Sequence, residues 1–231
     1  MTASSESFPL PVRAVVFDFD GTLAEIKIDF AAMRASVLHA MERYGVPPDP
    51  FKKLYILEMV AAGKKYLQDI SPEMCRAFGD EAMKGIEEME ISSAREAKLF
   101  AGVKTMLTAL GSAHIATGII TRNCYPALSV IFPDHRDYVK ALISREMTEF
   151  VKPDPRHLWE ILTVLEVSPH QTLMVGDHSI DVEIGKNVGA YTAAVLTGTG
   201  KEDALKESNP DFLLSHVADI LKILGIECPK G

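Results

Sequence analysis

Cysteine is scarce in this chain of 231 residues. The three present, Cys75, Cys124 and Cys228, are scattered, odd in number and never at CxxC spacing. That argues against a disulfide scaffold or a thiolate zinc site and fits a reducing compartment. A basic excess is missing too: Lys plus Arg number 24 against 32 Asp plus Glu, a net charge of −8. Such a balance gives no general field for nucleic acid or an anionic membrane, though a local basic pocket for a small anion remains open. No apolar run approaches the length of a membrane span. The opening MTASSESFPLPVR lacks a basic start followed by an apolar stretch, so no secretory signal is expected. These absences predict a cytoplasmic protein with neither nucleic acid nor membrane as a partner.

What is present is ordinary globular material. Hydrophobic residues make up 47% and charged residues 24%, enough to build one large domain, or a core plus a smaller one. Four short Val- and Ile-rich runs stand out: AVVF (14–17), ATGIIT (116–121), TLMVG (172–176) and TAAVL (192–196), with a weaker fifth, YVKALIS (138–144). None alternates, so each reads as a strand covered on both faces, as in a parallel sheet. Helical spacing of Leu158, Ile161, Leu162 and Leu165 predicts a helix over 155–166, with Asp154 as cap and Pro155 in the first turn. Another helix is expected over about 180–188. Strand–helix alternation implies an α/β fold with a doubly wound, Rossmann-like parallel sheet.

One segment breaks that alternation. From Ile28 to Leu99 there is helical periodicity and no convincing strand. Helices are predicted over 31–44, over 51–67 (with Leu54, Tyr55, Leu57 and Met59) and over 72–98, the last broken near Gly79 or Gly85. The expected organisation is a core of residues 1–24 and 99–231, with an inserted small helical domain at 25–98. Within the insert, Lys27, Arg34, Lys64, Lys65 and Tyr66 could meet a ligand, although lysines on a helix face are usually solvated.

In an open parallel sheet, ligands bind beyond the carboxyl ends of the strands. The first strand ends in Asp18 and Asp20, the second in Thr121, Arg122 and Asn123. Lys152 follows the weak strand, and Gly176, Asp177 and Asp181 follow the fourth run. Singly these are caps, turn formers and solvated side chains. Their convergence on one sheet edge is the informative signal. Residues two apart on an extended chain point the same way, so Asp18 and Asp20 can share a site. Unpaired they would repel, and a divalent cation removes that conflict. Asp18, Asp177 and backbone oxygen make a hard oxygen set suited to magnesium. Lys152 can offset phosphoryl charge and Thr121 can donate a hydrogen bond. Asp18 can attack phosphorus, while Asp20 protonates the leaving oxygen and then activates water. Gly21, Thr22, Arg122 and Asn123, in the loops beside them, are candidate substrate-binding residues. His178 is read as loop structure.

With these motifs in order, Asp18-Phe19-Asp20-Gly21-Thr22, Thr121, Lys152 in VKPDP, and Gly176-Asp177 with Asp181, the chain resembles the haloacid dehalogenase superfamily. It looks like the phosphoglycolate-phosphatase-type branch with a helical cap, and the resemblance spans nearly the whole chain. It implies a required Mg²⁺, an aspartyl phosphate on Asp18, and Asp20 as acid and base with its main-chain carbonyl on the metal. It also implies Asp177 as a metal ligand, Asp181 as a ligand direct or through water, and the insert as a closing cap. One departure is Arg122, where family members often carry asparagine. Arg122 is expected to reach a second anionic group, to pack against the cap, or to face solvent. The expected substrate is a small phosphorylated metabolite and the expected assembly a monomer or homodimer. Alternatives are a sugar phosphomutase of the same superfamily and a non-catalytic phosphate-binding module. Asp20 argues against metal-free dehalogenation, which lacks that second aspartate.

Overall fold

A computed structural model describes residues 11–227; the opening ten residues and Cys228 lie outside them. The strands are β1 (Ala14–Phe17), β2 (Ala116–Ile120), β3 (Ala141–Ile143), β4 (Thr172–Gly176), β5 (Tyr191–Val195) and β6 (Phe212–Leu214). The helices, in chain order, are α1 (Phe30–Arg43), α2 (Ile56–Gln68), α3 (Pro72–Ala94), α4 (Val103–Ser112) and α5 (Tyr125–Ile131). They continue with α6 (Arg156–Leu165), α7 (Ser179–Val188), α8 (Glu202–Glu207) and α9 (Ile220–Ile223). The chain divides into two compact units, Met1–Ile26 with Ala97–Gly231, and Lys27–Glu96.

The larger unit is built on one parallel sheet, ordered β3-β2-β1-β4-β5-β6. Its strands lack alternation because both faces are covered. Val15 and Phe17 pack on one face with Met106, Leu110, Leu128, Phe132 and Val217. Ala14 and Val16 pack on the other with Leu158, Ile161, Leu162 and Ile184. This is the period of two along a strand, each half apolar. The order reverses between β1 and β4, the switch point where open α/β sheets place ligands. The chain leaving this unit pairs with the chain re-entering it: Glu25 N–H donates to Lys98 O at 2.8 Å and Phe100 N–H to Leu23 O at 2.9 Å.

Four of the anticipated strands appear within one residue of their expected bounds, and the weak fifth shrinks to the three residues of β3. β6 escaped notice because it is only three residues long and half-buried at the sheet edge. α6 begins at Arg156, one residue later than expected. Asp154 Oδ1 still accepts from its first N–H, at 2.9 Å.

The smaller unit packs Met33, Val37, Met41, Met59, Leu67, Phe78 and Ile86 into its own core. Two expectations change here. Residues 52–55 are not helical, and α2 starts at Ile56 after a short turn at Asp49–Phe51. The reason lies in Arg34, whose guanidinium takes the Lys52 and Leu54 carbonyls at 3.0 and 2.8 Å. Those are acceptors that a helix would need for its own N–H groups, and they occupy a side chain that the sequence offered to ligand. Nor is α3 broken at Gly79 or Gly85. It runs unbroken for 23 residues from a Ser71 cap. Glycine lowers helix propensity but leaves the hydrogen-bond ladder intact.

The two helix interiors differ in what a methyl group would meet. At Gly85 the nearest atom to an added Cβ is Ser36 Oγ at 3.7 Å, whereas at Gly63 it is the Phe78 ring at 2.5 Å. Gly85→Ala should therefore raise stability by about 0.5–1 kcal/mol through propensity and unfolded-state entropy. Gly63→Ala should lower it by about 1–3 kcal/mol through overpacking. Urea denaturation followed by helical circular dichroism measures both, and shifts of the same sign would contradict this packing.

Candidate active site

β1 and β4 lie side by side, and each delivers an aspartate immediately beyond its end. Asp18 prolongs the ladder, its N–H donating to Val175 O at 2.8 Å. Asp177 directly follows β4, and Asp181 lies in the first turn of α7. Lys152 comes from the loop between β3 and α6. Its Nζ donates to Asp18 Oδ1 at 2.5 Å and to Asp181 Oδ1 at 2.7 Å. Carboxylate oxygens of Asp18, Asp177 and Asp181 all lie within 4.8 Å of one another. All four side chains are buried.

Three buried carboxylates against one ammonium leave two uncompensated negative charges. Burial, opposed by Lys152 and reinforced by Asp177, lifts the Asp18 carboxyl from 3.8 to about 6. Burial and the Asp181 charge lift Asp177 to about 6 as well. Asp181 is raised by burial and by Asp18, against the pull of Lys152. Burial alone would lower Lys152, but the two carboxylates it bridges hold its ammonium firmly charged. A carboxylate cluster that resists full ionisation, built only of hard oxygen donors, fits a divalent cation.

Space around Asp177 is kept by glycine. Gly21 has φ +84, a left-handed conformation, and a Cβ there would lie 2.7 Å from Asp177 Cγ. At Gly198 a Cβ would fall 1.9 Å from Asp177 Oδ2, and at Gly200 1.9 Å from Asp177 O. Between them Thr199 N–H donates to Asp177 Oδ2 at 2.8 Å, while Thr197 Oγ1 donates to Gly21 O at 2.6 Å. This loop after β5, Thr197-Gly198-Thr199-Gly200, was missed by sequence reasoning. Its signal was the TGTG at a strand end. Gly176 is constrained alike, since a Cβ there would fall 2.1 Å from Asp181 Cγ.

Asp20 stands apart from the acidic triad. The strand ends at Phe17 and the chain turns, with Phe19 O accepting from the N–H groups of Leu23 and Ala24 at 2.9 and 3.0 Å. The alternation expected to aim Asp18 and Asp20 into one cluster therefore stops at the strand end. Asn123 Nδ2 donates to Asp20 Oδ1 and Oδ2 at 3.0 and 3.1 Å, and Thr121 Oγ1 reaches Oδ2 at 3.4 Å. Thr22 is wholly buried, with N–H to Phe19 O at 3.3 Å. Arg122, half-buried, donates from Nη1 to the Lys152 carbonyl. Arg145, also missed, donates to Arg122 O at 3.0 Å. His178 caps α7, its Nδ1 accepting from Ile180 N at 3.3 Å, while its own N–H donates to Asp181 Oδ2 at 3.1 Å.

His157 completes the support for Lys152. Its Nδ1 accepts from Lys152 N at 3.2 Å, and Nε2 lies 3.2 Å from Ile143 O, which requires the neutral tautomer with the proton on Nε2. Burial, then the Lys152 charge, push His157 down from 6.5 to about 4.

Compared with known proteins, residues 15–195 match the model of the haloacid dehalogenase-like hydrolases. A haloacid dehalogenase-like hydrolase domain-containing protein of Arabidopsis thaliana is 28% identical over 218 residues, covering 92% of this chain and 84% of its own. The pyrophosphatase PpaX of Halalkalibacterium halodurans is 27% identical over 236 residues, covering 94% and 99%. The crystal structure of CbbY from Rhodobacter sphaeroides, in complex with phosphate, superposes with a TM-score of 0.63 at 18% identity, covering 93% and 99%. Among the described residues, no helix is long and apolar enough to cross a membrane.

Two outcomes follow from this geometry. Gly198→Ala should displace the Asp177 carboxylate and weaken divalent-cation binding by about 10-fold or more. Isothermal titration with Mg²⁺ and Mn²⁺ reads this directly, and unchanged affinity would refute the spatial role. The second concerns His157. Above about pH 6.5 it is neutral both folded and unfolded. Between 6.5 and about 4 the unfolded chain binds a proton that the fold refuses, so stability falls as pH falls. Wild type should lose about 3 kcal/mol relative to His157→Gln across that window. Urea denaturation at both ends of it should show the gap between the two proteins changing.

Proposed function

The chain belongs to the haloacid dehalogenase-like hydrolases, and from that premise we propose that it is a Mg²⁺-dependent phosphatase acting on a small phosphorylated metabolite. Hydrolysis of the phosphomonoester passes through an aspartyl phosphate on Asp18. The observation that carries this reading is the pairing of the buried Asp18 carboxylate with Lys152, beside Asp177 and Asp181, while Asp20 is held separately by Asn123. A nucleophile and a proton carrier need different surroundings, and these two aspartates have them.

Asp18, Asp177 and Asp181 would hold the Mg²⁺, which supplies the positive charge that lets three carboxylates ionise together and offsets the phosphoryl group. In the first step an Asp18 oxygen attacks phosphorus, the ester P–O bond breaks, and the Asp20 carboxyl gives its proton to the leaving oxygen. In the second, water attacks phosphorus, its proton passes to the Asp20 carboxylate, and inorganic phosphate leaves with Asp18 restored. Lys152 keeps its ammonium against Asp18 throughout. The Thr121 hydroxyl gives up only a 3.4 Å contact with Asp20 to donate to a phosphoryl oxygen. The PpaX relative is named a pyrophosphatase, which makes inorganic pyrophosphate a second substrate to try.

The test is phosphate release from a panel of phosphomonoesters and pyrophosphate, after chelation and after Mg²⁺ is restored. Activity should require the cation. Asp18→Asn should lower kcat by about 10³-fold or more. Full activity in that variant, or in chelator, would overturn the mechanism.

A further inference from the structure

Asn123 lies in the loop after β2 and is buried. Its amide has a fixed sense, because Cys124 N–H donates to Oδ1 at 2.7 Å. Nδ2 therefore faces the other way and donates to both Asp20 oxygens, at 3.0 and 3.1 Å. The main chain beneath it is pinned on both sides. Asn123 N–H donates to Thr121 Oγ1 at 3.0 Å, and Asn123 O accepts from Arg145 N at 3.3 Å. Arg145 also holds the preceding carbonyl, that of Arg122, at 3.0 Å. A side chain clamped at both ends of its amide, on a clamped loop, has one rotamer.

We propose that Asn123 is the positioning residue for Asp20, holding the carboxyl that shuttles the proton. This rests on the phosphatase reading above. The position was open to another role, direct contact with the substrate, and the two differ in chemistry. A residue that grips the phosphoryl group touches a part shared by every ester. A residue that aims the proton carrier matters only where the leaving oxygen needs a proton. An alkoxide is a poor leaving group and must be protonated as the P–O bond breaks. A p-nitrophenolate leaves without one. In a mechanism with a covalent intermediate, kcat/KM reports the step that forms it, so it isolates this protonation from the later attack of water.

The experiment compares kcat/KM for p-nitrophenyl phosphate and for the best alkyl phosphomonoester of the panel, in wild type and Asn123→Ala with Mg²⁺ present. The alkyl ester should fall by about 10²-fold, as expected for loss of general acid catalysis, and the aryl ester by less than about 5-fold. Asn123→Ser keeps a donor on a short side chain and should recover part of the alkyl-ester loss. It also carries the comparison if the alanine variant melts early. Equal losses on both esters would overturn the proposal and leave the phosphatase reading standing. No turnover of any ester by wild type would sink both.

Discussion

One ammonium shared by two of three buried carboxylates is the constraint on which this sheet edge depends. Lys152 bridges Asp18 and Asp181, and without it the cluster would hold three like charges out of water. Removing one member of such a buried set leaves charge uncompensated, which is far costlier than losing a surface pair. Even with Lys152 the balance is negative, and burial, reinforced by the neighbouring carboxylates, raises the carboxyls of Asp18 and Asp177. The fold therefore stores a site that prefers either protons or a cation. Its scaffold is suited to that burden. β1 and β4 are central strands, their neighbours pair on both sides, and the charges sit at their very ends, where ladder hydrogen bonds fix the backbone.

The lysine is itself over-determined. Its N–H is taken by His157 and its carbonyl by Arg122. One support comes from α6, the other from the loop after β2, so three parts of the core converge on a single residue. His157 fits this place because it can be neutral. An imidazolium would be buried beside the Lys152 charge and would lose its acceptor nitrogen at the moment the backbone N–H requires it. Arg122, by contrast, reaches the Lys152 carbonyl with a guanidinium N–H from a half-buried position.

Much of this was legible from the chain. Asp18, Asp177 and Asp181 declare themselves because they follow strands buried on both faces, which leave clear apolar runs, while Lys152 follows the weaker run that becomes β3. The supports did not, and the reason is physical. Gly198 matters through the Asp177 carboxylate, which follows the neighbouring strand of the sheet but lies about twenty residues earlier in the chain. Arg145 and His157 work through main-chain carbonyls and amides, whose partners leave no trace in residue type. The same blindness explains the smaller unit. Arg34 reads as a cation that could meet a ligand, yet its contact with two carbonyls decides where α2 begins. Gly79 and Gly85 read as breakers, yet the helix that holds them is secured by its Ser71 cap and by Phe78 and Ile86 in the core.

The spacing of the two aspartates matters as much as their identity. Were the chain extended through Asp20, its carboxyl would join Asp18 in the acidic cluster, and a fourth acid would deepen the charge imbalance. In the proposed mechanism a proton carrier there would be lost, since a carboxylate facing a cation would not keep its proton. The turn at Phe19 avoids this outcome. It sends Asp20 towards the Asn123 amide and the Thr121 hydroxyl, both of which donate to its carboxylate oxygens. Gly21 then takes the left-handed conformation that this turn needs and leaves room for Asp177 in the same stroke. Five consecutive residues thus give two nearby carboxylates different surroundings, and the loop after β2 supplies contacts to the second.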